Sequence, residues 1–252
     1  DVIVLGAKRG EARAKVCGRH GCSALQAPDH REDPTLLGRQ VRVEVADVTA
    51  DWAVLGEPIG AESAPGEPLA WVDPWPSLVG DTAAYGPVEG HPGEGRAWRE
   101  LIVARPALEA AVGDRPLAGT WAAEALRVMA WRPRLGAETD HRTIAHEVDW
   151  LRTAVHLHKG CYRGQETIAR VHNLGRPPRR LVFLHLDGSG HVLPDAGAPV
   201  RFGDREVGRI TTVARHHEDG PVALAVIKRS IPEDVDLLVG ETAASQTVVV
   251  SG

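Results

Sequence analysis

The last third of the chain carries six short runs rich in β-branched residues, and their spacing restricts the fold more than any other pattern. Asp-Gly, Gly-Asp and Pro turn signals separate the runs, which is typical of antiparallel strands. Six strands of this length predict a small antiparallel β-barrel. Gly208, inside one run, predicts a bulge where the sheet bends. The predicted strands are residues 181–186, 198–201, 205–213, 222–227, 235–239 and 247–250.

The part of the chain before the barrel mixes strands and helices without a regular alternation. Because no βαβ repeat is present, an α+β fold is favoured over a doubly wound sheet. The stretch from residue 57 to residue 95 is dense in Gly and Pro and predicts loops. Proline positions and apolar patterns predict strands at residues 41–45, 52–56 and 101–103 and helices at residues 106–112 and 120–130.

Length and composition set broad limits on the function. The chain has 252 residues and 43% hydrophobic content, which is enough for two modest cores, and we expect domains at residues 1–175 and 176–252. A net charge of −5 argues against a dedicated nucleic-acid binder. Three cysteines, no secretory signal and no apolar stretch of about 18 residues predict a cytoplasmic protein without a membrane partner.

Several common site chemistries lack their sequence motifs. A phosphate-binding Walker loop, a dinucleotide fingerprint, a nucleophile elbow and a His-Glu-x-x-His zinc motif do not occur. Cys17-x-x-His20-x-Cys22 matches no standard zinc spacing. The histidines His141, His146, His156 and His158 have no accompanying ligand motif, so solvated or core roles are favoured. We therefore predict no metal site.

One segment does carry reactive chemistry, the eight residues from Lys159 to Glu166. They place a single thiol, Cys161, between two glycines and two cationic side chains. A helix is predicted directly afterwards, from Gln165 to His172, ending at Gly175 before a Pro-Pro pair. The start of a helix attracts anions and favours a thiolate, so a reactive cysteine is predicted. The alternative is a small buried hydrophobic residue in a tight turn.

The string Lys-Gly-Cys-Tyr-Arg-Gly-Gln-Glu resembles the signature of the YgfZ family and matches every fixed position. Members of that family are folate-binding relatives of the glycine-cleavage T-protein, an aminomethyltransferase, and they support iron–sulfur proteins and, through them, tRNA modification. The resemblance covers about residues 97 to 252. It implies a T-protein-like folate-binding region with ferredoxin-like mixed sheets and helices, followed by the barrel. It also implies tetrahydrofolate as cofactor, and iron–sulfur proteins or assembly factors as partners.

The resemblance also implies roles for individual residues. Ile144-Ala145-His146-Glu147 stands where the family has Pro-x-Glu, and Glu147 is the implied pterin ligand. Cys161 and Lys159 are the implied catalytic pair. Trp121 and Trp131 are expected in the core, although an aromatic side chain bordering a folate pocket would stack on the pterin. The implied folate-binding residues are Glu147, Asp140, Trp121, Tyr162, Gln165, Arg170 and Arg176.

Two other functions stay open at this stage. One is an authentic tetrahydrofolate-dependent aminomethyltransferase, and the other is a non-catalytic scaffold that binds partners. The thiol favours the accessory role, because T-protein transferases differ from the motif at this place. Residues 1–40 depart from the family pattern and lack apolar periodicity, which predicts a truncated or atypical N-terminal part of the folate site.

Overall fold

The computed structural model describes residues 2–5, 15–18, 21–24, 48, 50–162 and 164–251. The predicted strand at residues 41–45 lies outside these residues, and so does His20 of the Cys17 to Cys22 pattern. Within the described helices, no segment has both the length and the apolar character needed to cross a membrane.

A mixed sheet forms the first part of the described chain. Its strand order is β5-β6-β4-β1-β7, with β1 and β7 parallel and the other pairs antiparallel. A separate hairpin joins β2 to β3. The strands are β1 (Val2–Leu5), β2 (Lys15–Gly18), β3 (Gly21–Ala24), β4 (Trp52–Glu57), β5 (Leu69–Val72), β6 (Arg99–Ala104) and β7 (Leu117–Ala118).

The two faces of this sheet differ because successive strand residues point to opposite sides. Leu55, Leu101 and Val103 are buried on one face, where Ala111 and Val112 pack against them. The cross-strand partners Leu69 and Ile102 belong to the opposite face, and both are exposed.

The helices follow the predicted positions with one difference. The predicted helix at residues 106–112 begins as a 3-10 turn, Arg105–Ala107, and continues as α1 (Leu108–Val112). Pro106 is tolerated in this first turn, where an N–H would have no helical partner. The second predicted helix is α2 (Thr120–Met129). A 3-10 turn, Ala145–Val148, precedes α3 (Leu151–Ala154), and α4 (Gln165–Leu174) starts where the sequence predicted it.

The predicted six-stranded antiparallel barrel is confirmed, and it is closed. Its strand order is β10-β11-β8-β13-β12-β9, and the aliphatic side chains of alternate positions fill its interior. The barrel strands are β8 (Arg179–Leu186), β9 (Pro199–Phe202), β10 (Arg205–His216), β11 (Gly220–Lys228), β12 (Leu237–Val239) and β13 (Thr242–Val248).

The last predicted strand, residues 247–250, was misplaced. The strand begins at Thr242 and ends at Val248. Val249 and Val250 instead turn towards Leu181, whose carbonyl accepts both of their N–H groups at 3.2 and 3.3 Å, and both valines are fully buried. Burial against other elements, rather than strand pairing, accounts for their apolar character.

Gly208 has the structural role that the sequence predicted. The pairing of β10 with β9 shifts register between Glu206 and Gly208. A Cβ atom at Gly208 would lie 2.3 Å from the Val226 carbonyl oxygen and 2.6 Å from the Cα of Ile227. Only a glycine permits so close an approach of two strands.

A second core joins the outside of the barrel to α2. Leu181 and Leu224 from the barrel pack with Ala125 and Val128 from α2, and Val148 completes the contact. These apolar side chains hold the segment that carries Glu147 against the first barrel strand.

Candidate functional site

The thiol of the motif lies in an exposed turn before α4. Cys161 is a free, exposed cysteine, which differs from the small buried residue that was the alternative. The first helical residue is Gln165, preceded by Gly164 with φ of +85°. Because the influence of a helix terminus falls off within one turn, three residues of separation weaken its effect on the thiol.

Lys159 and Tyr162, two motif residues close to the thiol in sequence, contact each other. The ammonium group of Lys159 lies 4.6 Å from the centre of the Tyr162 ring, a cation–π distance. Lys159 lies two residues before Cys161 and Tyr162 directly after it, so the motif turn carries a cation, a thiol and an aromatic ring within four residues.

A cleft of about 190 Å³ separates the motif turn from α4. The helical lining residues follow three- and four-residue spacing, so they belong to one helix face. Its lining mixes apolar side chains with imidazole and amide groups and includes two residues from the sequence prediction, Tyr162 and Gln165. The cleft is lined by Leu157, His158, Tyr162, Gln165, Ile168, Ala169, His172 and Asn173.

Glu147 is fully buried and already has a charged partner. Nε of Arg179 donates to one carboxylate oxygen at 3.0 Å, and Nη2 donates to the other at 2.8 Å. The N–H of Ile144 donates to the same carboxylate at 3.3 Å. Such a two-point arginine contact is strong and directional. The carboxylate expected to bind the pterin therefore holds the first residue of the barrel.

Asp140 is more accessible, with 24% of its side chain exposed. Arg209 donates to its Oδ2 at 3.1 Å, and Arg179 lies 3.6 Å from the same atom. Burial alone raises the pKa of Asp140, but hydrogen bonds from the Arg142 N–H and the Thr143 hydroxyl, with the nearby guanidinium groups, lower it well below its usual range. Asp140 is therefore an ionised acceptor at the surface.

The remaining predicted site residues do not all gather at the cleft. Trp121 is 82% exposed on α2, so the expectation of core packing was wrong for this residue. Trp131, by contrast, packs against the second core and the His91 ring. Arg170 on α4 and Arg176 after it are exposed.

Sequence reasoning missed a chain of polar groups behind α4. The hydroxyl of Tyr85 lies 3.0 Å from Nδ1 of His172. The N–H of Tyr85 donates to Asp149 at 2.6 Å, and Nε of Arg152 donates to the same carboxylate at 2.6 Å. Tyr85 stands in a loop without periodicity, so no sequence signal indicated it.

His146 also belongs to this region, because its ring packs edge-on against Tyr85 at 4.8 Å. It is fully buried, and neither ring nitrogen has a hydrogen-bond partner among the described residues. Burial, with a smaller contribution from His172, lowers the pKa of His146 to about 4. The imidazole is therefore neutral at physiological pH.

Two other surface features lack the chemistry of the motif. A groove of about 470 Å³ on the open sheet face is almost entirely apolar. In the described part of the chain, His216, Glu218 and Asp219 each bring one donor atom within 4.8 Å of the others, in the turn between β10 and β11. The four histidines that the sequence analysis considered form no such group among the described residues.

Comparisons with known proteins agree with the motif and the barrel. The chain is 37% identical over 92 residues to the tRNA-modifying protein YgfZ of Edwardsiella ictaluri, covering 35% of this chain and 27% of that protein. A crystal structure of aminomethyltransferase T from Bartonella henselae matches with a TM-score of 0.51 and 17% identity, over 80% of this chain and 58% of that one. The chain is YgfZ-like in sequence and T-protein-like in fold.

A putative chloroplastic transferase of Arabidopsis thaliana is 29% identical over 154 residues, which cover 57% of this chain and 32% of that protein. The matches thus span about a third or less of the curated relatives' length. No protein-family model matches the chain. These likenesses confirm the resemblance to YgfZ and T-protein relatives that the motif indicated.

Proposed function

We propose that this protein binds a reduced folate in the cytoplasm and supports iron–sulfur proteins and, through them, tRNA modification. The observation that carries the proposal is the complete motif from Lys159 to Glu166, with its thiol exposed at Cys161. A relative that shares sequence with this chain is named a tRNA-modifying protein. The proposed partners are folate and iron–sulfur proteins or their assembly factors.

Several charged groups of the described chain suit a reduced folate. The pterin ring presents N–H donors, which pair well with a carboxylate, and the glutamate tail presents carboxylates, which pair with cations. Asp140 offers an ionised, partly exposed acceptor. Arg170 and Arg176 offer exposed cations. A bound reduced folate would supply a carrier for one-carbon units.

Glu147 takes an indirect part in this proposal. Since Arg179 occupies both of its oxygens, the buried carboxylate fixes the guanidinium group that also lies beside Asp140. Glu147, which has no exposed surface, then shapes the acceptor site through Arg179, while Asp140, whose side chain is 24% exposed, makes the contact with the pterin. Trp121 is available to stack only if the ligand reaches α2.

Cys161 provides the reactive group. An exposed thiol is accessible both to a substrate electrophile and to a soft metal ion of an iron–sulfur protein. Lys159, the other member of the proposed catalytic pair, places its ammonium group 4.6 Å from the centre of the Tyr162 ring, next in sequence to the thiol. Gln165 and Tyr162 form the wall of the adjoining cleft.

Complementation tests the accessory role. A bacterial strain lacking its own YgfZ-type protein would receive the wild type, Cys161→Ser or Cys161→Ala, with equal protein levels verified by immunoblot. We expect only the wild type to restore the activity of an iron–sulfur enzyme, because serine preserves size but neither residue supplies a thiolate. Full restoration by both variants would exclude a role for the thiol and contradict the proposal.

A further inference from the structure

The cleft between the motif turn and α4 is lined by His172, whose imidazole is hydrogen-bonded to the hydroxyl of Tyr85. Nδ1 of His172 lies 3.0 Å from the Tyr85 hydroxyl. Tyr85 is held in turn by its backbone N–H, which donates to Asp149. Asp149 is itself fully buried and paired with Arg152. The contact with His172 is therefore anchored in the protein interior.

The direction of this hydrogen bond determines the tautomer of His172. Burial and the charge of Asp149 raise the pKa of Tyr85, so its hydroxyl keeps its proton. A phenol is a better donor than acceptor towards an imidazole, and a neutral imidazole that accepts at Nδ1 carries its proton on Nε2. Nε2–H of His172 is then the ring donor left for the cleft.

The lining of the cleft favours one part of a folate over the other. Among the described residues the lining includes no carboxylate, so it lacks the charged acceptor that the N–H groups of a pterin require. It does combine Leu157, Ile168 and the Tyr162 ring with donors on His172 and Asn173. Apolar walls and an aromatic ring accommodate a benzoyl group, and the donors suit its carbonyl and carboxylate oxygens.

The volume of the cleft also favours the benzoyl part of the folate. At about 190 Å³, the cleft is smaller than the roughly 300–1,000 Å³ of pockets that enclose a whole drug-sized molecule. It can hold a single aromatic ring with its amide, while the rest of the molecule lies outside. Asp140, the proposed pterin acceptor, is absent from its lining.

We propose that this cleft binds the para-aminobenzoyl-glutamate part of a reduced folate, with Nε2–H of His172 donating to its carbonyl or carboxylate oxygen and Tyr85 as the positioning residue that sets the tautomer. The inference rests on the proposed function and adds a subsite to it. It also explains why the helix that follows the motif presents an imidazole on the face that lines the cleft.

Two substitutions of His172 test which of its ring nitrogens binds the ligand. The side-chain amide nitrogen of glutamine reaches about as far as Nε2, whereas that of asparagine reaches only about as far as Nδ1. Calorimetry on the full chain would use para-aminobenzoyl-L-glutamate and 5-formyltetrahydrofolate as probes. We expect His172→Asn to weaken both by about tenfold and Tyr85→Phe by about threefold, with His172→Gln within about twofold of the wild type.

Nitrogen NMR of the histidine rings reports the tautomer of His172, which would not change if Tyr85 had a purely structural role. The His172 signals, assigned by their loss in His172→Gln, should show a protonated Nε2 and an unprotonated Nδ1 in the wild type and a mixture in Tyr85→Phe. A protonated Nδ1, or wild-type affinity in His172→Asn, would overturn the subsite. If the wild type itself binds neither probe, the proposed function fails together with the subsite.

Discussion

Arg179 contacts both carboxylate oxygens of Glu147, with Nε to Oε1 at 3.0 Å and Nη2 to Oε2 at 2.8 Å. Glu147 belongs to the 3-10 turn Ala145–Val148, and Arg179 is the first residue of β8. The pair therefore ties the segment before the motif to the barrel. Since Arg179 also lies beside Asp140, the same contact places two acidic groups around one guanidinium.

Glu147→Gln should destabilise the fold. The substitution leaves the Arg179 guanidinium without its buried counter-charge and turns one acceptor oxygen into a donor. Because 26% of the Arg179 side chain is exposed, solvent offsets part of the loss, and we expect about 1–3 kcal/mol. Urea unfolding followed by circular dichroism measures this change.

The double variant Glu147→Gln with Arg179→Met is the control for this pair. If the contact is the cause, the effects of the two single changes should be far from additive. Fully additive single effects would show that Glu147 stabilises the protein without Arg179.

Glu138→Gln should also be costly, because Glu138 joins α2 to the barrel. It is 1% exposed and accepts hydrogen bonds from Arg127 at 3.0 Å and from Thr212 at 2.5 Å. Loss of the charge beside the buried Arg127 should lower the free energy of unfolding by about 2–4 kcal/mol. Glu166→Gln, at an exposed position in the first turn of α4, is the matched control and should change it by less than about 1 kcal/mol. Equal effects of the two changes would contradict the account.

Stability should depend on pH through His146. Its pKa in the folded state is about 4, below the ordinary value of about 6.5. The unfolded chain therefore binds a proton first as the pH falls, and stability should decline between about pH 6.5 and pH 4. This histidine faces Tyr85 and His172, and neither ring nitrogen is hydrogen-bonded among the described residues.

His146→Phe isolates that contribution. An apolar ring of similar size should be tolerated at neutral pH and should remove about 1–3 kcal/mol of the decline between pH 6.5 and pH 4. Chemical unfolding at a series of pH values measures both slopes. A variant slope as steep as the wild type would assign the pH dependence to other groups, of which His91, with its pKa also lowered to about 4, is the first to examine.

Cys161 should be alkylated rapidly by iodoacetamide in the folded protein, because its thiol is exposed. Peptide mapping by mass spectrometry follows Cys161 separately from the other two cysteines, with Cys161→Ser as background. A rate for Cys161 that rises only on unfolding would contradict its exposed position.

The barrel could be predicted from the sequence because its strands are short, β-branched and separated by turn residues. Gly208 was predictable for the same reason, since an isolated glycine in a strand marks a close approach of backbones. The end of β13 was not, because Val249 and Val250 have strand-like composition but are buried against other elements. Local pattern cannot distinguish these two reasons for an apolar residue.

The site was predictable only in part. The motif indicated Cys161, Tyr162 and Gln165 because they are contiguous in sequence. The partners of Glu147 and His172 are 32 and 87 residues away along the chain. Such contacts arise from packing between elements, and no local pattern records them. The exposure of Trp121 was missed because tryptophan is buried on average and composition alone favours a core position.

Calorimetric titration of the full chain with 5-formyltetrahydrofolate tests the central claim most directly. The account predicts binding of one folate per chain with a dissociation constant of about 1–100 μM. Asp140→Asn should weaken it by about tenfold, whereas Asp187→Asn, which alters a fully exposed carboxylate hydrogen-bonded to Ser189, should not. Absence of binding to the folded wild type, or equal affinities in the two variants, would contradict the account.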